Sequence, residues 1–310
     1  MVEKAQKEKR KVLVTGSSGM LGCDLCAELS GRYRLFGIDL MSRPCSALSD
    51  ENFYRQDITD KERTVSAISK ISPYAVFHTA AMTDVDGCEL DPERALRMNA
   101  EGTRNVALGC SKAGAALIFI STDYVFDGKK GSPYREEDPT GPLSSYGRSK
   151  LEGEKALKDI LDNYFIARTS WLYGSNGKNF IGAILSRAGQ QKVLKVVSDQ
   201  AGSPTYTKDL SAALAALLEG FAQSDSGYGT YHISNSGSVS WCDYARAIIR
   251  IARLDTEVIA ISTKEAGRPA PRPGNSVLDN SKFNKFSKYR LRGWEDALKE
   301  YLSGQIKGCG

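Results

Sequence analysis

The residues of this chain best suited to moving a proton are Tyr146 and Lys150, in the stretch Ser145-Tyr146-Gly147-Arg148-Ser149-Lys150. Residues four apart on a helix share one face, so a phenol and an ammonium would lie side by side. A free phenol has a pKa of about 10 and exchanges protons poorly at neutral pH. A neighbouring cation favours the phenolate and draws that pKa down. The expected product is a proton donor and acceptor that works near neutrality. Alone, the pair is weak evidence, because Tyr-x-x-x-Lys also arises by chance on solvated helices.

Its weight comes from what precedes it. Ala116-Leu117-Ile118-Phe119-Ile120 reads as a strand and leads into Ser121-Thr122-Asp123-Tyr124-Val125-Phe126-Asp127-Gly128. A hydroxyl at the carboxyl end of a parallel strand lies where α/β folds keep their ligands, so Thr122 is placed to hydrogen-bond a substrate carbonyl. Earlier, the β-branched run Lys11–Thr15 is followed at once by Gly16-Ser17-Ser18-Gly19-Met20-Leu21-Gly22, and Leu21, Leu25 and Leu29 keep helical spacing. Strand, glycine turn and helix in that order suit a dinucleotide. The glycines serve a tight turn, a close approach to a pyrophosphate and helix–strand packing. The N–H groups and dipole of the helix then face the phosphates.

Other elements must position these groups. Arg34–Ile38 reads as a second strand ending in Asp39, 23 residues after Gly16. An acid there bonds ribose hydroxyls and repels a 2′-phosphate, which argues for NADH. Arg43 softens that exclusion, so NADPH stays open, and Asp39 as a cap of the next turn is the alternative. Asn52–Ile58 holds a third short strand. Asp57 either touches the adenine or partners the N-terminus of a helix from Asp60 to Ile71. Tyr74–His78 is a buried strand, with His78 a core histidine. The small residues from Thr79 through Ala80, Ala81, Met82 and Thr83 let the chain pass close to a cofactor ribose. One long helix is expected from Pro92 to about Ala113, with proline in its first turn. The loop Lys129–Leu143 then delivers the helix of Tyr146 and Lys150, and Tyr164–Arg168 is a sixth strand.

Beyond this the alternation weakens. Helices are expected over 179–190, 207–221, 240–253 and 293–303, and short strands at 195–197 and 231–233. Residues 266–275, rich in Pro, Arg and Gly, read as an ordered loop or lid. Six strands with helices between them predict an α/β fold, a Rossmann-type doubly wound parallel sheet with a smaller C-terminal substrate lobe. The expected division is a flexible tail at 1–10, a dinucleotide domain at 11–172 plus later returning segments, and a mainly substrate-binding lobe at 173–310.

Composition narrows the classes. The chain has 310 residues, 41% hydrophobic and 25% charged, as in ordinary soluble proteins. No apolar run is long enough for a membrane span. The opening eleven residues hold five Lys/Arg and two Glu and no apolar core, so they read as a tail and not a secretory signal. They supply +3 of the net charge of +5, and the rest is too mild to point to nucleic acid or a membrane surface. Seven cysteines are scattered along the chain. Cys23 and Cys26 form a C-x-x-C that falls on the helix after the glycine turn, where two small residues on one turn explain it better than a redox pair. With two histidines and no second C-x-x-C, a zinc site is not expected. The chain suits a reducing cytoplasm.

Three motifs together carry a resemblance: T-G-x-x-G-x-x-G at 15–22, S-T-D-Y-V-F-D-G at 121–128 and Y-G-x-x-K at 146–150. They resemble the extended short-chain dehydrogenase/reductases, and within them the dTDP-4-dehydrorhamnose reductase family. Residues 168–174, 199–205 and 272–279 extend the likeness along most of the chain. The resemblance implies reduction of the C4 keto group of dTDP-4-dehydro-L-rhamnose to dTDP-L-rhamnose with NADPH or NADH. It makes Thr122, Tyr146 and Lys150 catalytic. It places Gly16, Gly19, Met20, Leu21, Gly22, Asp39, Asp57, Ile58, Ala80, Ala81, Met82 and Thr83, with Tyr146 and Lys150, against the dinucleotide. Thr83, Val85, Thr122, Asp123 and Trp171 would face the sugar nucleotide, although Trp171 also reads as plain core. Arg272 would meet the diphosphate, since a guanidinium fork suits phosphate; a solvated loop charge is the alternative. Some members use Mg2+ at a dimer contact, for which no carboxylate set stands out here. A monomer or homodimer is expected. The regulatory subunit of methionine adenosyltransferase is a similar relative that acts through a partner; the intact Thr/Tyr/Lys set favours the enzyme. A reductase of another nucleotide-4-keto-sugar would differ only in its pocket.

Overall fold

A computed structural model describes residues 9–41, 45–224 and 227–307. Arg43 and most of the expected tail lie outside the described residues. The chain begins with β1 (Lys11–Thr15), α1 (Met20–Leu29), β2 (Arg34–Asp39), β3 (Phe53–Arg55), α2 (Lys61–Ile71) and β4 (Ala75–His78). Next come α3 (Val85–Leu90), α4 (Pro92–Leu96), α5 (Gly102–Ala113), β5 (Ala116–Thr122), α6 (Ser145–Lys158) and β6 (Tyr164–Thr169). All these strands join one parallel sheet in the order β3-β2-β1-β4-β5-β6. The order reverses between β1 and β4, and such a switch point opens the crevice in which doubly wound sheets bind ligands. Every residue of β5 is buried, as befits an inner strand covered on both faces.

The second half is more irregular. It comprises β7 (Leu172–Tyr173), α7 (Phe180–Ala188), β8 (Val193–Val197), β9 (Ala201–Gly202), β10 (Thr205–Tyr206), α8 (Thr207–Ser224), β11 (Gly229–His232) and β12 (Val239–Ser240). It ends with α9 (Trp241–Ala252), β13 (Glu257–Ile261), α10 (Thr263–Ala266), α11 (Ser281–Ser287) and α12 (Trp294–Lys307). Two of these segments return to the first half. β11 pairs with β6 as a seventh parallel strand, one more than the six expected before the alternation weakens. α8 lays Leu210, Leu214, Leu217 and Phe221 into the same core as Leu21, Leu25 and Leu29 of α1. The rest forms a separate apolar cluster built on α7, α9 and α12, with Tyr173, Ile184, Tyr244, Ile248 and Leu298 inside it.

Two elements differ from the sequence-based expectation. The helix expected over 92–113 is interrupted by a π-turn at Arg97–Glu101. Such a turn widens the backbone ladder and is frequent at functional sites. Within it the Asn99 carbonyl accepts from the Thr103 hydroxyl at 2.6 Å. The small-residue stretch after β4 is followed by an unexpected short helix, α3, which starts at Val85.

Candidate active site

The glycine turn connects β1 to α1. Gly16 has φ +70, and a Cβ there would lie 2.6 Å from the Ala80 backbone nitrogen, so only glycine fits between β1 and the strand-end turn after β4. α1 starts at Met20, after Gly19, with no side-chain cap and no acid in its first turn. Its first N–H groups therefore lack intrahelical partners and face an open cavity, as an anion-binding helix end requires. This cavity, of about 400 Å³, is lined on one side by Gly16, Gly19, Met20, Leu21 and Gly22. Its other side holds Thr122, Asp123, Tyr146 and Lys150. Residues more than a hundred positions apart thus share one space.

α6 carries the Tyr/Lys pair. Ser144 caps it by accepting from the Gly147 N–H at 3.2 Å. Gly147 lets the helix settle on the turn after β5, since a Cβ there would lie 2.2 Å from the Tyr124 carbonyl oxygen. The Tyr146 ring meets Tyr124 edge to face at 5.8 Å. The Lys150 ammonium sits 4.1 Å from the centre of the Phe119 ring.

The electrostatics differ from the expectation of an acidified phenol. Burial raises the Tyr146 pKa above its ordinary value, against the pull of a hydrogen bond with Thr122. Burial lowers Lys150 to about 7, against the attraction of Glu154 one turn further along. Desolvation dominates both shifts because both groups are withdrawn from water. The ground state therefore keeps the phenol protonated. Glu154 is fully buried and holds Arg168 at 2.7 Å and the Ser121 hydroxyl at 2.6 Å. Asp123 is also buried. Its Oδ1 accepts from Thr122 at 3.0 Å while Oδ2 has no hydrogen-bond partner, and burial pushes its pKa up to about 7.

The remaining expected site residues divide into two groups. Ala81, Thr83, Val85 and Trp171 line the cavity. Asp39, Asp57, Ile58, Ala80, Met82 and Arg272 do not. Asp39 accepts from the N–H groups of Ser18 at 2.9 Å and Met41 at 2.9 Å, so its carboxylate is fixed beside the glycine turn. Asp57 braces the Thr59 N–H at 2.9 Å, and Asp60, not Asp57, caps α2. The Ile58 side chain is core, leaving only its backbone for a ligand. Met82 is held at both its N–H and its carbonyl by Asn99. Arg272 is paired with Asp86 at 3.0 Å and donates to the Ala270 carbonyl, which folds the 266–275 loop onto α3. His78 is a core residue between the hydroxyls of Thr15 and Thr103, and burial lowers its pKa to about 3. Cys26 is buried and Cys23 half-buried on α1.

Sequence reasoning passed over Asn99, Lys178 and Trp241. Lys178 is an exposed cation on the cavity wall, and Trp241 lines it from the first turn of α9. The only signal for Asn99 was a polar residue in an otherwise regular helix. Among the described residues no group of three or more His, Cys, Asp or Glu is arranged to hold a metal ion, and no helix is long and apolar enough to cross a membrane.

A glycine turn and an uncapped helix end facing a Thr–Tyr–Lys set across the switch point define the class: an extended short-chain dehydrogenase/reductase. Comparison narrows it. Residues 10–306 match the family described as the RmlD substrate binding domain. The spore coat polysaccharide biosynthesis protein SpsK of Bacillus subtilis is 39% identical over 96% of this chain and 99% of its own. The dTDP-4-dehydrorhamnose reductase of Streptomyces griseus is 39% identical over 93% of this chain and 91% of its own. A crystal structure of dTDP-4-dehydrorhamnose reductase from Bacillus anthracis in complex with NADP has 36% identity and a TM-score of 0.86, covering 96% of this chain and 99% of that one. The chain belongs to the RmlD, or dTDP-4-dehydrorhamnose reductase, family.

Proposed function

We propose that this protein reduces the C4 ketone of dTDP-4-dehydro-L-rhamnose to give dTDP-L-rhamnose, with NADPH or NADH as reductant. The observation that carries this reading is the convergence of Thr122, Tyr146 and Lys150 on the cavity that the glycine turn opens. The uncapped start of α1 suits a pyrophosphate, and the 2.9 Å bond from Ser18 holds the Asp39 carboxylate beside the glycine turn, which supports a ribose contact. When bound, the reduced nicotinamide supplies the hydride.

The chain's own residues do the rest. Thr122, turning its single O–H from Asp123, orients the carbonyl oxygen and offsets the charge that grows on it. Tyr146 enters the reaction protonated and gives its proton to that oxygen as general acid. As the phenol loses its proton, the Lys150 ammonium becomes its counter-charge, so the pair lowers the barrier in the transition state, not the phenol pKa at rest. Asp123, with one unpaired oxygen, accepts from a sugar hydroxyl. Arg272, on release from Asp86, and Lys178 meet the diphosphate. The described cysteines are all free thiols, which suits a reducing cytoplasm.

The test is a coupled assay. The purified chain is mixed with dTDP-4-keto-6-deoxy-glucose, a 3,5-epimerase and either NADPH or NADH, and absorbance of the reduced nicotinamide is followed. Epimerase-dependent oxidation with formation of dTDP-L-rhamnose is expected. No oxidation with either cofactor sinks the reading.

A further inference from the structure

Trp171 and Trp241 both line the cavity, one following β6 and the other opening α9. Their ring centres are 3.4 Å apart and their planes differ by 5°. Aromatic pairs ordinarily prefer offset or edge-to-face contacts, so a full overlap must be held by its surroundings. Those surroundings are visible. Trp171 has φ 47, a left-handed backbone that a bulky residue adopts only when neighbours enforce it. The edge of its indole lies on Gly202, where a Cβ would come within 2.4 Å of Cε2. Gly202 belongs to β9, whose partner β12 runs directly into Trp241. One two-stranded ribbon thus supplies both the edge contact of one indole and the position of the other. Phe180 of α7 closes on Trp241 at 4.5 Å.

At van der Waals contact no ring can enter between the indoles, so the pair acts as one rigid platform whose outer surface meets a ligand. Its place follows from the sheet. Thr122 pairs in register with Thr169, two residues before Trp171. The platform therefore stands beside the catalytic hydroxyl, at the sugar end of the cavity. A 6-deoxyhexose offers a face of C–H groups and a methyl, which suits an apolar aromatic surface. We infer that Trp241, through its stack on Trp171, is a positioning residue for the sugar ring. This rests on the reductase reading above and assigns Trp241 a role within it.

The experiment compares Trp241→Ala and Trp241→Phe with the wild-type holoenzyme. Trp241→Ala is expected to raise KM for the keto-sugar about tenfold while the NADPH Kd stays within about twofold, and Trp241→Phe to restore most of the loss. Stacked indoles also couple their transitions, so a far-ultraviolet exciton couplet should be present in a Trp294→Phe background and vanish when Trp241 is replaced. An unchanged KM in Trp241→Ala overturns the inference. So does a parallel rise in the NADPH Kd, which would mark a general loss of packing. A wild-type protein that turns over no keto-sugar defeats the reductase reading alone. The couplet then decides the inference: a response to dTDP-L-rhamnose but not to dTDP supports it, and an equal response to both, or none, overturns it.

Discussion

Asn99 and Ser149 are fifty positions apart, yet the Asn99 amide donates to the Ser149 hydroxyl at 2.9 Å. Ser149 in turn donates to the Tyr146 carbonyl at 2.8 Å, and Asn99 also holds the Met82 backbone at 2.8 and 3.0 Å. One side chain at the π-turn therefore ties the turn after β4, where a cofactor ribose is expected, to the helix of the Tyr/Lys pair. Replacing Asn99 with Ala removes its two hydrogen bonds to the half-buried Met82 backbone and the one to Ser149, at a cost of about 1–3 kcal/mol. The expected result in Asn99→Ala is a lower urea midpoint together with a fall in kcat larger than any change in KM. Equal stability and unchanged kcat would remove Asn99 from the site.

Tyr146→Phe tests the proton donor. The ring and its packing on Tyr124 survive, so dinucleotide affinity should hold. Turnover should fall by about a hundredfold to ten-thousandfold, the range for loss of a general acid. Single-turnover kinetics with the keto-sugar distinguish this from slower product release.

Asp39, held beside the glycine turn by the Ser18 N–H, is the residue we propose to set the choice of cofactor. Asp39→Ala removes a ribose acceptor and a charge that repels a 2′-phosphate. The Kd for NADH should rise about tenfold while that for NADPH changes less or falls. Fluorescence titration with both cofactors reads the ratio, and an unaltered ratio places Asp39 away from the ribose.

The pairing of Arg272 with Asp86 makes a competition. If the substrate diphosphate takes Arg272 from Asp86, Arg272→Gln should raise KM for the keto-sugar about tenfold to a hundredfold, matching a lost charged hydrogen bond. Asp86→Asn should lower KM by releasing the guanidinium. Opposite signs in the two variants are the signature; equal KM in both argues that the pair only shapes the loop.

His232 gives a dependence of stability on pH. Burial, and then the Arg168 charge, lower its pKa to about 3 from an ordinary 6.5. Between these values the unfolded chain holds a proton that the folded chain does not, so stability rises with pH across that window. The contribution is complete above pH 6.5 and is lost as pH falls toward 3, by up to about 1.4 kcal/mol per pH unit. His232→Asn keeps a donor to the Tyr134 carbonyl, which Nδ1 meets at 3.0 Å. Denaturant titrations at pH 5 and pH 7 should show a smaller difference in that variant than in the wild type.

Much of this protein was legible in the chain because its signals are local. A strand, a glycine turn and a helix follow one another within twenty residues, and the glycines at 16 and 147 announce places where backbone must pass backbone. The tyrosine and lysine share a helix face by spacing alone. Tertiary structure decided what depends on distant partners. The Asn99 side chain, within the π-turn, finds its partners Met82 and Ser149 only in the folded chain. The seventh strand is recruited from residue 229 onward because β6 leaves an edge open to it. The protonation of Tyr146 and Lys150 follows from how deeply they are buried, a quantity that spacing does not contain. The indole of Trp241 reaches Trp171, seventy positions earlier in the sequence, only when the ribbon of β9 and β12 has formed. Periodicity and turn chemistry act between neighbours in sequence; desolvation and long-range contact act between neighbours in space.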